Sequence, residues 1–180
     1  MPKVLVPLAQ GCEELEAVTI IDLLRRADIT VITAGLDAEP VIASRGIVLI
    51  PDTTLDIALK QEFDMVVLPG GLPGSDHLNS DLRIQTLLKK MQQQNKYTAA
   101  ICAAPKVLAR AGLLDGKLVT SYPGTLEISP TINFIDKPVV RDGLVITSRG
   151  PGTAMDFALE LIEILVGQEI HDKVAIGLVR

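Results

Sequence analysis

The chain has 180 residues, 48% of them apolar, which is enough to bury a core and too apolar for disorder. Its formal charge of −5 repels phosphate backbones, and 3% aromatic residues with no Trp leave no stacking platform for single-stranded nucleic acid. Two distant cysteines, Cys12 and Cys102, make no secreted disulfide framework, and two histidines, His77 and His171, supply no zinc-ligand spacing.

In chain order, Val4–Leu8 is predicted as a buried strand, followed by a turn at Gly11 and a helix over Cys12–Arg26. A second strand covers Ile29–Ala34. The stretch Val41–Ile50, with Ser44-Arg45-Gly46 at its middle, reads as a small hairpin. Met65–Leu68 is a third strand, closed by Pro69-Gly70-Gly71, and a loop rich in Pro, Gly and Ser follows. A helix is expected over Asp81–Gln94, then a fourth strand over Thr98–Ile101 that runs straight into Cys102. Further strands are expected at Leu118–Thr120, Val139–Val140 and Leu144–Thr147. Helices follow over Thr153–Val166, stopped by Gly167, and over Gln168–Leu178.

Short, continuously apolar strands alternating with helices specify an α/β fold with a mostly parallel sheet covered on both faces, doubly wound and flavodoxin-like. No linker or repeat interrupts it, so one domain over residues 1–180 is expected. The N-terminus lacks a charged-then-apolar leader and no run reaches the ~20 apolar residues of a membrane span, so the cytoplasm is the expected compartment. Ligands in such folds bind beyond the carboxyl ends of the strands. Gly11–Glu16, Pro69–Gly71 and Cys102–Pro105 all fall there.

Cys102 leaves a strand with no intervening loop, and Pro105 suits the first turn of a helix. That places Cys102 on a strand-to-helix elbow, where helix N–H groups are expected to lower the thiol pKa. The alternative is a small buried hydrophobe. The N–H groups of Gly70 and Gly71 can approach a substrate oxygen closely, or simply end a strand. Glu13, Glu14 and Glu16 suit a helix N-terminus through its dipole, and periodicity does not single out Glu16 as a buried acid.

The strings Gly11-Cys12-Glu13-Glu14-Leu15-Glu16-Ala17-Val18, Val67-Leu68-Pro69-Gly70-Gly71, Ala100-Ile101-Cys102-Ala103-Ala104-Pro105 and Thr147-Ser148-Arg149-Gly150-Pro151-Gly152-Thr153 occur in this order. Together they resemble the ThiJ/PfpI superfamily, and within it the subgroup of the Parkinson disease-associated protein deglycase and its bacterial relatives. The resemblance spans nearly the whole chain. It implies a homodimer that uses no metal and no organic cofactor. It implies Cys102 as nucleophile, a protonated Glu16 beside its sulfur, Gly71 and Ala103 N–H groups as an oxyanion site next to Gly70, and Arg45 reaching the site from a partner subunit. The implied substrates are small dicarbonyls such as methylglyoxal, or their early adducts. The same thiol would also serve as a redox sensor in a stress-response protein with little turnover.

Two positions depart from the family. Tyr122 stands where the human member has a histidine, which bears on substrate preference, and Cys12 stands where relatives often carry a small residue. The peptidase branch of the superfamily has a histidine directly after the cysteine. Here that residue is Ala103, and His77 is read as a surface residue.

Overall fold

In the computed structural model, which describes residues 1–127 and 129–180, the elements follow in order. They are β1 (Lys3–Leu8), α1 (Glu14–Arg26), β2 (Thr30–Gly35), β3 (Val41–Ile42), β4 (Val48–Leu49), β5 (Thr53–Thr54), α2 (Leu55–Ala58), β6 (Met65–Leu68), α3 (Gly74–Ser80) and α4 (Leu82–Gln93). Then come β7 (Tyr97–Ile101), α5 (Pro105–Arg110), β8 (Leu118–Val119), β9 (Asn133–Phe134), β10 (Val139–Asp142), β11 (Val145–Ser148), α6 (Ala154–Val166) and α7 (Gln168–Gly177).

Seven strands form one sheet in the order β10-β11-β7-β6-β1-β2-β5, parallel throughout except for β10 at one edge. This is the expected mostly parallel α/β, flavodoxin-like fold. The chain leaves β1 toward β2 and returns on its other side at β6. The reversal of winding therefore falls between β1 and β6, where such sheets open a crevice.

Every residue of β6 is buried, as are all of β1 and β7 beyond their first residues. Alternate side chains feed two cores. Val4, Val6, Met65, Val67, Ala99 and Ile101 pack into one with Ile20, Leu24, Phe157 and Ile162 from α1 and α6. Leu5, Val66, Leu68 and Ala100 pack into the other with Leu78, Leu88, Val107 and Leu108 from α3, α4 and α5. Burial on both faces explains why these strands read as unbroken apolar runs.

Most predicted elements are present, with boundaries shifted by one to three residues. The hairpin pairs Val41 with Leu49 and Ile42 with Val48. The loop predicted after Gly71 is partly a helix, α3. Pro73, Gly74 and Ser75 at its start are poor helix signals, and packing of the buried Gly74, Ser75 and Leu78 overrides them. The two-residue β5 was not anticipated. It is held by Asp52, whose carboxylate accepts from the Thr33 N–H and hydroxyl, each at 2.8 Å, and from Arg25 at 2.9 Å.

Phe157, 0% exposed, is among the largest fully buried side chains. Phe157→Ala should lower unfolding free energy by about 4 kcal/mol. Phe134→Ala, at a position 50% exposed, should cost less than about 1 kcal/mol. Urea denaturation of both variants measures the difference.

Candidate active site

The carboxyl ends of β1, β6 and β7 bring three turns together. The first carries Gly11 and Cys12 into α1. Glu13, the cap residue of that helix, donates its N–H to the Gly70 carbonyl at 2.9 Å. The Gly70 N–H in turn donates to Glu16 Oε2 at 2.8 Å. The two peptide groups flanking the Gly70 Cα are thus both held by the start of α1.

Only glycine permits this approach. A methyl group on Gly70 would lie 2.6 Å from Cys102 Cβ and 2.7 Å from Glu16 Oε2. Gly71 follows with φ of 90°, and a side chain there would meet the Glu13 nitrogen at 2.3 Å.

The third turn is the elbow. Cys102 has φ of 64°, a left-handed conformation rare for a residue with a side chain. Its N–H donates to the Ser148 carbonyl at 3.0 Å, and its carbonyl accepts the Tyr122 N–H at 2.8 Å. Pro105 opens α5 as the sequence indicated. Cys102 is 9% exposed, and Glu16 is 0% exposed. Periodicity alone did not single out Glu16. The Gly70 N–H draws it fully inside.

The Glu16 carboxyl lies beside the Cys102 thiol, and the N–H groups of Gly71 and Ala103 face the same sulfur. Burial pushes the Glu16 carboxyl up to about 7, against the Gly70 hydrogen bond and the neighbouring Cys102 thiol, which pull it down. Its Oε1 is sealed from solvent and has no hydrogen-bond partner among the described residues, a poor setting for a carboxylate.

The expectation of a lowered thiol pKa does not hold in this pocket. Burial first, and then the Glu16 charge, push the Cys102 thiol up to about 12, and the Gly71 and Ala103 N–H groups offset only part of this. The six-residue α5 adds little dipole. The push from Glu16 is that of a carboxylate. Protonating Glu16 removes it and turns the same side chain into a donor toward sulfur.

Other sequence candidates lie further out. Glu14 caps the hairpin, with Oε1 accepting from the Arg45 N–H at 2.8 Å and Oε2 from the Ser44 hydroxyl at 3.0 Å. The Arg45 side chain is exposed and forms no ion pair among the described residues. The Tyr122 side chain is 48% exposed, and its ring rests on Gly150, where a methyl group would come within 3.2 Å of it.

Cys12 is buried, and burial with the nearby Glu14 charge pushes its thiol up to about 11. His77 is exposed on α3 and lines a separate crevice of about 390 Å³ with Gln10, Asp37 and Asp81. Among the described residues no group of three or more His, Cys, Asp or Glu side chains is arranged to hold a metal ion. Sequence reasoning did not single out Glu14 as the residue that ties the hairpin to α1, nor Thr125, whose hydroxyl lies 3.3 Å from the Cys102 carbonyl. Thr125 belongs to no motif, the string that contains Glu14 gives no sign of this role, and only the tertiary contacts reveal them.

Residues 2–164 match the model of the DJ-1/PfpI family. The chain belongs to that family. It is 46% identical over 177 residues to protein dj-1beta of Drosophila melanogaster, covering 97% of this chain and 95% of that one. The crystal structure of Drosophila melanogaster DJ-1beta superposes with a TM-score of 0.95 at 45% identity, covering 99% of this chain and 97% of the other. The chain is also 36% identical over 163 residues to the glutathione-independent glyoxalase DJR-1.2 of Caenorhabditis elegans, covering 89% and 86%. The DJ-1/PfpI family therefore includes a member named as a glyoxalase.

The buried carboxyl makes stability depend on pH. Folded Glu16 keeps its proton up to about 7, whereas an unfolded glutamate releases it near 4.5. Between these values the folded state binds more protons, so stability falls as pH rises. The contribution is complete below pH 4.5 and lost above 7. At 1.36 kcal/mol per pH unit it amounts to roughly 3 kcal/mol. Glu16→Gln should therefore gain about that much relative to wild type between pH 4.5 and 7.5, measured by urea denaturation at both. An unchanged difference would mean that Glu16 is ionised in the fold.

Proposed function

We propose that this DJ-1/PfpI family member is a cofactor-free, glutathione-independent glyoxalase or deglycase. On this reading it acts on methylglyoxal-like dicarbonyls, or their early adducts, in a cytoplasmic stress response. The observation that carries this is the placement of a buried, proton-holding Glu16 against Cys102, with two backbone N–H groups on the same sulfur. The name of the nematode relative supports the reaction class.

The Cys102 thiol passes its proton to the Glu16 carboxylate and, as thiolate, adds to the aldehyde carbon. The developing oxyanion is held by the Gly71 and Ala103 N–H groups and takes the proton of Glu16, giving a hemithioacetal. The resulting carboxylate removes the hydrogen from the former aldehyde carbon and returns it to the neighbouring ketone carbon, while the hydroxyl proton moves to the ketone oxygen. The first carbon is thereby oxidised and the second reduced, and a thioester results. Water, deprotonated by Glu16, then displaces the thiolate. Lactate leaves with one proton, and both Cys102 and Glu16 are restored. A carboxyl titrating near 7 suits these alternating acid and base steps.

The site is proposed to work in a homodimer. Leu15 and Val18 on α1, with Ile47, Val48 and Ile50 of the hairpin region, are large apolar side chains left exposed, and Glu14 joins the two elements. A second copy on this face would carry its Arg45 toward the site, and Tyr122 would supply a neutral aromatic wall for the substrate. Sedimentation should give twice 19.3 kDa at micromolar concentration. A monomer would remove Arg45 from the site.

The deciding assay is lactate release from methylglyoxal by the purified protein. Cys102→Ser should lose at least about 100-fold in kcat/KM. Cys12→Ser should stay within about threefold of wild type. A wild type that releases no lactate, yet oxidises selectively at Cys102 in dilute peroxide, would replace turnover with redox sensing.

A further inference from the structure

A left-handed conformation is strained for a residue with a side chain, so the surroundings must hold Cys102 there. They do so at both ends of its backbone. The N–H is tied to Ser148 on β11, inside the sheet. The carbonyl is tied at 2.8 Å to the N–H of Tyr122, in a segment with no helix or strand of its own.

Thr125 closes a turn in that segment, on a Tyr122 carbonyl that the Ser121 hydroxyl also reaches at 3.3 Å. The Thr125 N–H donates to the Tyr122 carbonyl at 3.2 Å, and the Thr125 hydroxyl donates to the same carbonyl at 2.8 Å. The hydroxyl also lies within hydrogen-bonding reach of the Cys102 carbonyl, at 3.3 Å. Upstream, the Thr120 N–H donates to the buried Thr147 hydroxyl at 2.9 Å, anchoring the segment to β11. The turn is therefore pinned to the sheet at one end and closed by Thr125 at the other.

We propose that Thr125 is a positioning residue for Cys102. Its hydroxyl closes the turn over residues 122–125 and keeps the Tyr122 N–H on the Cys102 carbonyl, so that the sulfur stays between Glu16 and the Gly71 and Ala103 N–H groups. The inference rests on reading Cys102 as the reacting thiol. Without the hydroxyl the turn loses the side-chain bond at its closure, and the Tyr122 N–H loses its alignment on the elbow carbonyl. Small displacements of a reacting atom are costly, because attack depends on its alignment with the groups around it.

The test uses the full chain with Thr125→Val, which removes the hydroxyl and keeps the shape, and Thr125→Ser, which keeps the hydroxyl. Alkylation of Cys102 by iodoacetamide is followed by peptide mass spectrometry with Cys12 as internal reference, beside kcat and KM on methylglyoxal. Thr125→Val should slow Cys102 alkylation roughly tenfold and lower kcat by a similar factor, leaving KM within about twofold. Thr125→Ser should behave as wild type, and the Cys12 rate should not change. If Thr125→Val folds poorly, Thr125→Ala provides the same comparison without the added methyl group.

Equal Cys102 alkylation in wild type and Thr125→Val overturns the role of Thr125. So does an equal loss in the Val and Ser variants with faster Cys12 labelling, which marks general loosening. A wild-type Cys102 inert to alkylation overturns the nucleophile reading, and this inference with it. Alkylation without dicarbonyl turnover removes only the dicarbonyl reading, and the alkylation rates alone then decide Thr125.

Discussion

The hydrogen bond from the Gly70 N–H to the Glu16 carboxyl is the contact on which the site depends. It draws a glutamate from the first turn of α1 into a position with no solvent access, at the end of the strand next to the one that carries Cys102. The Gly70 carbonyl returns the grip by accepting the Glu13 N–H. An acid on one element and a thiol on another thereby meet across a single residue, Gly70. Any side chain at Gly70 would collide with both of them.

The fold supplies the rigidity this contact needs. β1, β6 and β7 lie at the middle of the sheet, paired on both sides and packed on both faces, so the turns beyond their carboxyl ends start from fixed points. Burial then sets the chemistry. The same exclusion of water that lifts the Glu16 carboxyl to about 7 lifts the thiol as well, so a second negative charge in the pocket is strongly disfavoured. A helix dipole alone would have predicted a low thiol pKa. Burial first, and then the carboxyl beside the sulfur, reverse that, and the carboxyl makes thiolate formation depend on where its proton sits.

Much of the fold was legible in the sequence because its strands are buried on both faces and read as unbroken apolar runs, as in Met65–Leu68 and Val4–Leu8. The elbow at Cys102 was legible for a local reason, a strand running into a cysteine with a proline three residues on. Glu16 was not legible from periodicity, since its burial is the work of a backbone N–H 54 residues away in the chain. The short β5 and α3 were missed because side chains distant in sequence hold them. Thr125 was missed because it acts through the carbonyls of Tyr122 and Cys102, which leave no trace in the spacing of residue types.

The central claim is that Glu16 and Cys102 form one proton-sharing unit. Carbon-13 NMR of glutamate side-chain carboxyls, followed from pH 3 to 10 in wild type and Cys102→Ser, tests it most directly. The account predicts one glutamate titrating near 7, assigned by its loss in Glu16→Gln, whose midpoint moves when the thiol is replaced. If every glutamate titrates at or below about 4.5, or the midpoint near 7 is the same with and without the thiol, the account is contradicted.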